Sequence, residues 1–175
     1  MKVLKFGGSS VASSENIKKV INIIIATSKK QKIIVVVSAF GKTTNALIEG
    51  AHLAQNKNSG YKEIIQKLEK HHFNVIEELI PTEQQPTIVA HIKELFNQLE
   101  TIYKGCYLLE ELSPKTLATI SSFGELLSAS IIAEISNLKI DTIYKDSRDL
   151  IVASEMYLDA VVDFPATNKN ITDYF

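Results

Sequence analysis

Apolar positions change their period twice near the amino terminus. Lys2 to Phe6 alternates, with Val3 and Leu4 adding β character, and meets Gly7-Gly8, which predicts a short strand and a turn. From Ser13 or Ser14, both helix-opening residues, Ile17, Val20, Ile21, Ile24 and Ile25 recur on one helical face. That face is rich in β-branched residues, so burial rather than propensity has to favour the helix. Ile33 to Val37 is an unbroken β-branched run, the pattern of a strand buried on both faces of a parallel sheet. Strand, helix and strand make a βαβ unit, expected to be right-handed. The second strand ends at Ser38-Ala39-Phe40-Gly41, and a helix is expected from about Thr44.

The middle of the chain reads as helical. Ile64, Leu68, His71, His72, Val75, Ile76 and Leu79 trace one stripe, and Ile88, Val89, Ile92, Leu95, Phe96, Leu99, Ile102 and Tyr103 trace a second. Pro81 and Pro86 separate them, which predicts two long antiparallel helices with a short connection. Pro114 opens a third helix that carries Phe123-Gly124-Glu125 and runs to about Ser136. Ile140 to Tyr144 predicts another strand, Val161 and Val162 a last one, and Thr167 to Tyr174 the start of a helix. No internal repeat breaks the chain, so residues 1–175 are read as one unit of α/β class.

Composition narrows the partners. With 19 basic and 20 acidic side chains and a net charge of -1, no overall basic field draws in nucleic acid or an anionic membrane. Met1-Lys2-Val3-Leu4-Lys5 lacks the apolar core of a signal peptide, and no apolar run reaches the roughly 20 residues that span a bilayer. A cytoplasmic protein is the expectation. Cys106 is the sole cysteine, which excludes an internal disulfide and reads as a half-buried structural thiol.

Three segments carry candidate chemistry. In Lys5-Phe6-Gly7-Gly8-Ser9-Ser10, a strand delivers a lysine into a glycine turn ahead of a helix. Glycines let backbone N–H groups approach an anion, and the ammonium neutralises phosphate charge. The bland alternative is a tight turn with a surface lysine. In Ser38-Ala39-Phe40-Gly41-Lys42-Thr43-Thr44-Asn45, Gly41-Lys42-Thr43 suggests a P-loop, but Val36 stands where that motif needs its first glycine. A ligand-facing loop at a strand's carboxyl end remains, as does plain helix capping by Thr43 or Thr44. In Ser121 to Ser128, Glu125 beside Gly124 reads either as an amine ligand or as a solvated glutamate. Asp146 and Arg148 read as a ligand pair or a local salt bridge. His52, His71, His72 and His91 lack metal-ligand spacing, and His71 and His72 read as packing or solvent-facing, so no metal site is assigned.

Together the three segments resemble the aspartate kinases of the amino-acid-kinase family. The resemblance rests on Lys5-Phe6-Gly7-Gly8-Ser9-Ser10-Val11, on Val36-Val37-Ser38-Ala39 with Gly41-Lys42-Thr43-Thr44-Asn45, and on Gly124-Glu125-Leu126-Leu127-Ser128. Asp146-Ser147-Arg148 resembles a further landmark, and the likeness extends to about Ala153. Ser9 stands in place of the family's usual threonine and keeps the hydroxyl. The family's later nucleotide-holding segments are not found, which implies an amino-terminal portion of the catalytic domain.

The resemblance implies a three-layer αβα sandwich of the carbamate-kinase-like type, with this chain as its amino-terminal lobe. It implies ATP with Mg2+ and L-aspartate as ligands, 4-phospho-L-aspartate as product, and the first step of lysine, threonine and methionine biosynthesis. By resemblance Lys5, Gly7, Gly8 and Ser9 meet ATP, with Lys5 catalytic, while Ser38, Thr44 and Glu125 meet aspartate. A homo-oligomer is expected, the parent enzyme is open to carrying a homoserine dehydrogenase module, and the fragment alone is expected to be inactive. The alternatives are another kinase of the family, such as an acetylglutamate or uridylate kinase, and a noncatalytic nucleotide-binding or interaction domain.

Overall fold

A computed structural model describes residues 1–157 and 159–175. The chain forms β1 (Lys2–Phe6), α1 (Ser14–Ser28), β2 (Ile33–Val37), α2 (Thr43–Gln55), α3 (Tyr61–Leu79), α4 (Gln85–Leu109), α5 (Pro114–Asn137) and α6 (Phe164–Tyr174). Single 3-10 turns occupy Gly8–Val11, Thr82–Gln84 and Ser147–Asp149. β1 and β2 pair in parallel, from Lys2 against Ile33 to Phe6 against Val37, so the loops after both strands emerge at the same end of the sheet.

Helix starts follow local chemistry. Ser13 caps α1 by accepting from the Asn16 N–H, and Ser113 caps α5 by accepting from the Thr116 N–H, with Pro114 next in sequence. Ile17, Val20, Ile21 and Ile24 bury the predicted face of α1. On α3 the buried stripe runs through Tyr61, Ile65, Leu68, His72, Val75 and Ile76, while Ile64, His71 and Leu79 lie at its edge. Burying an apolar side chain is worth about 1.5–3 kcal/mol, which outweighs the weak propensity of the β-branched helices.

The core is helical and centres on α5. That helix packs against α1, α2, α3, α4 and β2, and Ile120, Leu127 and Ile131 are fully buried on it. It corrects one expectation: by length and composition α5 is apolar enough to cross a membrane. In this structure it is the middle of the core, with four helices and β2 packed against it.

Four further expectations are corrected. β2 is not buried on both faces, since Val36 is 46% exposed; among the described residues no helix lies over the side that carries Val3, Lys5 and Val36. Ile140–Tyr144 forms no strand: Ile140 is a bend, and the residues after it join no ladder, because no described strand lies alongside them. Val162 makes only an isolated antiparallel bridge with Ala153. Finally, α6 starts at Phe164, ahead of the expected Thr167, because the Asp163 carboxylate accepts from the Ala166 N–H and Pro165 fits the first turn.

Candidate functional site

The site lies at the carboxyl end of the two strands. Lys5 sits on β1 opposite Val36, on the uncovered side of the sheet. Among the described residues it forms no ion pair. Beyond it, the chain turns through Gly7 and Gly8 into the 3-10 turn, and α1 then begins at Ser14 behind its Ser13 cap, where the sequence places it. The Asn16 side-chain amide on α1 donates to the Ser9 carbonyl at 3.0 Å and anchors this turn.

Glycines let the segments close on one another. At Gly7 an added Cβ would meet nothing within 4 Å, leaving an open cradle, whereas at Gly8 it would lie 3.0 Å from the Ala39 carbonyl oxygen and 3.1 Å from that of Gly41. The Gly41 N–H donates to the Gly8 carbonyl at 3.1 Å, and Gly41 holds a φ of +54° that disfavours other residues. The first two segments are therefore tied backbone to backbone. Gly124 brings in the third: its added Cβ would stand 2.8 Å from the Ala39 Cβ and 3.2 Å from the Thr44 hydroxyl. Thus Ser38, Ala39 and Thr44 lie directly against α5.

Glu125 completes the corner. One carboxylate oxygen accepts from the Ala39 N–H at 3.3 Å and from the Ser38 hydroxyl at 3.4 Å. Its other oxygen has no hydrogen-bond partner among the described residues, and the side chain is exposed. One turn later, the Ser128 hydroxyl donates to the Ser38 carbonyl at 2.9 Å. A carboxylate oxygen left free beside a hydroxyl suits a ligand that presents an ammonium group.

The hydroxyls of α2 divide their work. Thr43 does not cap the helix. It is buried, and its hydroxyl donates to the Phe40 carbonyl at 2.7 Å, closing the loop on itself. Of the two readings of Asp146 and Arg148, the local salt bridge is what forms: the guanidinium donates to both carboxylate oxygens, the shortest contact being 2.7 Å. Burial pushes Asp146 up, but these bonds and the Arg148 charge outweigh it and hold the carboxyl below its usual range. Cys106 is buried rather than half-buried as expected, because its face of α4 packs into the core, and burial pushes its thiol up, away from nucleophile chemistry. A separate cleft of about 210 Å³ between α4 and α5, lined by His91, Ser130 and Tyr144 among others, contains none of these motif residues.

Sequence reasoning singled out Lys5, Gly7, Gly8, Ser9, Ser38, Thr44 and Glu125. The fold brings the loop residues and Glu125 together. It missed Asn16 and the Ser128–Ser38 bond. Ser128 was within the quoted motif, but its partner lies on another element.

The family model for the amino acid kinase family matches residues 1–162. A bifunctional aspartokinase/homoserine dehydrogenase of Buchnera aphidicola is 33% identical over 98% of this chain, which covers 21% of that protein. Aspartokinase 1, chloroplastic, of Arabidopsis thaliana is 35% identical over 77% of this chain, which covers 23% of it. The chain thus spans about a fifth of the length of these curated relatives. Among solved structures, E. coli aspartokinase III in complex with aspartate and ADP superposes with a TM-score of 0.87 at 23% identity, over 98% of this chain and 37% of that one. At that identity the likeness carries the fold, and the fold is of the expected amino-acid-kinase type.

Proposed function

Because this chain belongs to the amino acid kinase family, we propose that it provides the aspartate-binding corner and the phosphate-facing lysine of an aspartate kinase. The observation that carries the reading is Glu125 on Ala39 N–H and Ser38 Oγ, next to the Gly8–Gly41 tie. It joins the three motif segments in one place. The relatives named aspartokinase support the same reading.

The reaction would form a bond between the aspartate side-chain carboxylate and the γ-phosphorus of ATP, break the bond from that phosphorus to the β-phosphate, and give 4-phospho-L-aspartate and ADP. A carboxylate is already ionised at pH 7, so no general base is required, and catalysis rests on positioning and charge. Glu125 would pair the α-ammonium through its free oxygen. Ser38 and Thr44 would orient the carboxylates. Lys5 would neutralise charge on the transferring phosphoryl group, while the open cradle at Gly7, with Gly8 and Ser9, would admit a phosphate. Mg2+ would arrive with ATP and neutralise its phosphate oxygens. The proposal includes a cytoplasmic homo-oligomer that serves lysine, threonine and methionine synthesis.

This chain alone is proposed to bind aspartate but not to turn over, since it spans only about a fifth of the relatives. Titration with L-aspartate should shift the Ala39 amide resonance, and Lys5→Ala should leave that shift in place. In the longer enzyme Lys5→Ala should lower turnover about 10²-fold. An Ala39 resonance indifferent to aspartate would overturn the corner, and robust aspartate-dependent ADP release from the 175 residues would overturn the division of labour.

A further inference from the structure

Adjacent histidines on an amphipathic helix face different surroundings, and on α3 one of them is fully buried. His72 is 0% exposed, while His71 is half-buried. The Nδ1–H of His72 donates to the Leu68 carbonyl one turn back, at 2.7 Å. Nε2 therefore carries a lone pair, and it is buried with no hydrogen-bond partner. A leucine or phenylalanine would fill this place without stranding a polar atom, so simple packing does not account for the residue.

The ring's neighbours give it a task. It lies nearly parallel to Phe40, with centroids 5.1 Å apart and planes 19° from each other, and edge-on to Phe96 at 5.6 Å. Phe40 is the buried pivot of the loop between β2 and α2, 1% exposed. Its carbonyl accepts from both the hydroxyl and the N–H of Thr43. The residue before it, Ala39, donates to Glu125, and the residue after it, Gly41, donates to Gly8. Orienting the Phe40 ring thus orients the contacts to both α5 and the glycine turn. The bond from Nδ1 to Leu68 fixes the plane of the His72 ring, and a flat, fixed ring offers Phe40 one stacking orientation.

We infer that His72 is a positioning residue that, by stacking on Phe40, holds residues Ser38–Thr44 in the conformation that meets Glu125 and Gly8. The loop consequence stands on this geometry alone; the ligand consequence rests on the proposed aspartate corner. His72→Leu removes the flat face and keeps apolar volume, whereas His72→Phe keeps the face.

The test is amide hydrogen exchange in the full chain, read at Ala39 and Gly41 and, for reference, at Val20 on α1 and Ile131 on α5. His72→Leu should speed exchange about tenfold at the two loop amides and leave the reference amides unchanged, while His72→Phe stays within about twofold of the parent. Phe40→Leu should reproduce the loop effect, and the double substitution should add little to either single one. Phe40→Leu carries the test from the loop side if His72→Leu does not fold. Unchanged loop exchange, acceleration shared equally by all four amides, or His72→Phe behaving like His72→Leu would overturn the inference. Titration with L-aspartate should show about tenfold weaker binding in His72→Leu, restored in His72→Phe. If the parent chain binds no aspartate, the proposed function fails, and the exchange data still decide the role of His72.

Discussion

The helix α5 and the segment that follows it are both rich in apolar residues, yet the fold treats them in opposite ways. Ile120, Leu127 and Ile131 on α5 are 0% exposed, whereas Ile143 is 81% exposed and Phe164 66%. The difference is one of partners. α5 meets helices on several sides and the sheet as well. Ile140–Tyr144 lies beside no described strand, and Thr167 is the one buried residue among those described from 143 to 175. Hydrophobic pattern states what an element requires, and topology decides whether it is supplied. The Glu125 corner of the candidate site sits on the supplied side, where Gly124 presses α5 against Ala39 and Thr44.

The contrast can be broken most forcefully on α5. Leu127→Ala should destabilise the chain by about 2–5 kcal/mol in denaturant unfolding, because the cavity lies where several elements meet. Ile143→Ala should stay within about 0.5 kcal/mol. Equal costs would mean that the exposed segment is packed in solution, against a second copy for example, and dilution would then separate the two cases.

A pH scan sharpens the same contrast. Burial lowers the His72 pKa from 6.5 to about 4, outweighing the hydrogen bond to Leu68 that favours the charged form; His71 nearby lowers it further. In the unfolded chain this histidine takes up its proton first. Its contribution is therefore fully present above pH 6.5 and is lost as pH falls toward 4, to a total of about 3 kcal/mol. His72→Leu should flatten the stability profile in that window. An unchanged profile would remove His72 from the buried core.

Third in size is Glu125→Gln, which keeps the bonds from Ser38 and Ala39 feasible and removes the charge. Binding of L-aspartate should weaken by roughly 1.5–3 kcal/mol in calorimetry. A phosphate-bearing ligand held at Gly7 should bind as before. Equal loss for both ligands would assign Glu125 to holding the loop.

These outcomes bear on what was legible in the sequence. Helices were, because a 3.6-residue period is local: the faces of α1 and α4 and the start of α5 follow from spacing and from Ser and Pro near their ends. β1 and β2 were legible as runs, but their exposure was not, since a strand's second face depends on a distant element. Ile140–Tyr144 failed for that reason. The motif wording singled out Lys5, Gly8, Ser38 and Glu125 as candidates, while the bonds that tie the segments together, from Gly41 to Gly8, Asn16 to Ser9 and Ser128 to Ser38, are between elements and leave no local trace. His72 read as ordinary packing because nothing near it in sequence points to Phe40.

The smallest expected effect probes how the exposed segment is held at all. Thr167 on α6 straps it down: the hydroxyl accepts from the Val152 N–H at 2.9 Å and faces the Val152 carbonyl at 3.3 Å. Asn170 adds a bond to the Leu150 carbonyl at 3.1 Å. Thr167→Val keeps the shape and removes the hydroxyl, so the cost is that of one buried hydrogen-bonding group, about 1 kcal/mol. If the segment opens as a unit separate from the α5 core, that cost should appear as several-fold faster exchange at the Val152 amide, with Ile131 unchanged. Faster exchange at both positions would mean that residues 143–175 and the core unfold together, and the division between the two regions would be one of exposure only.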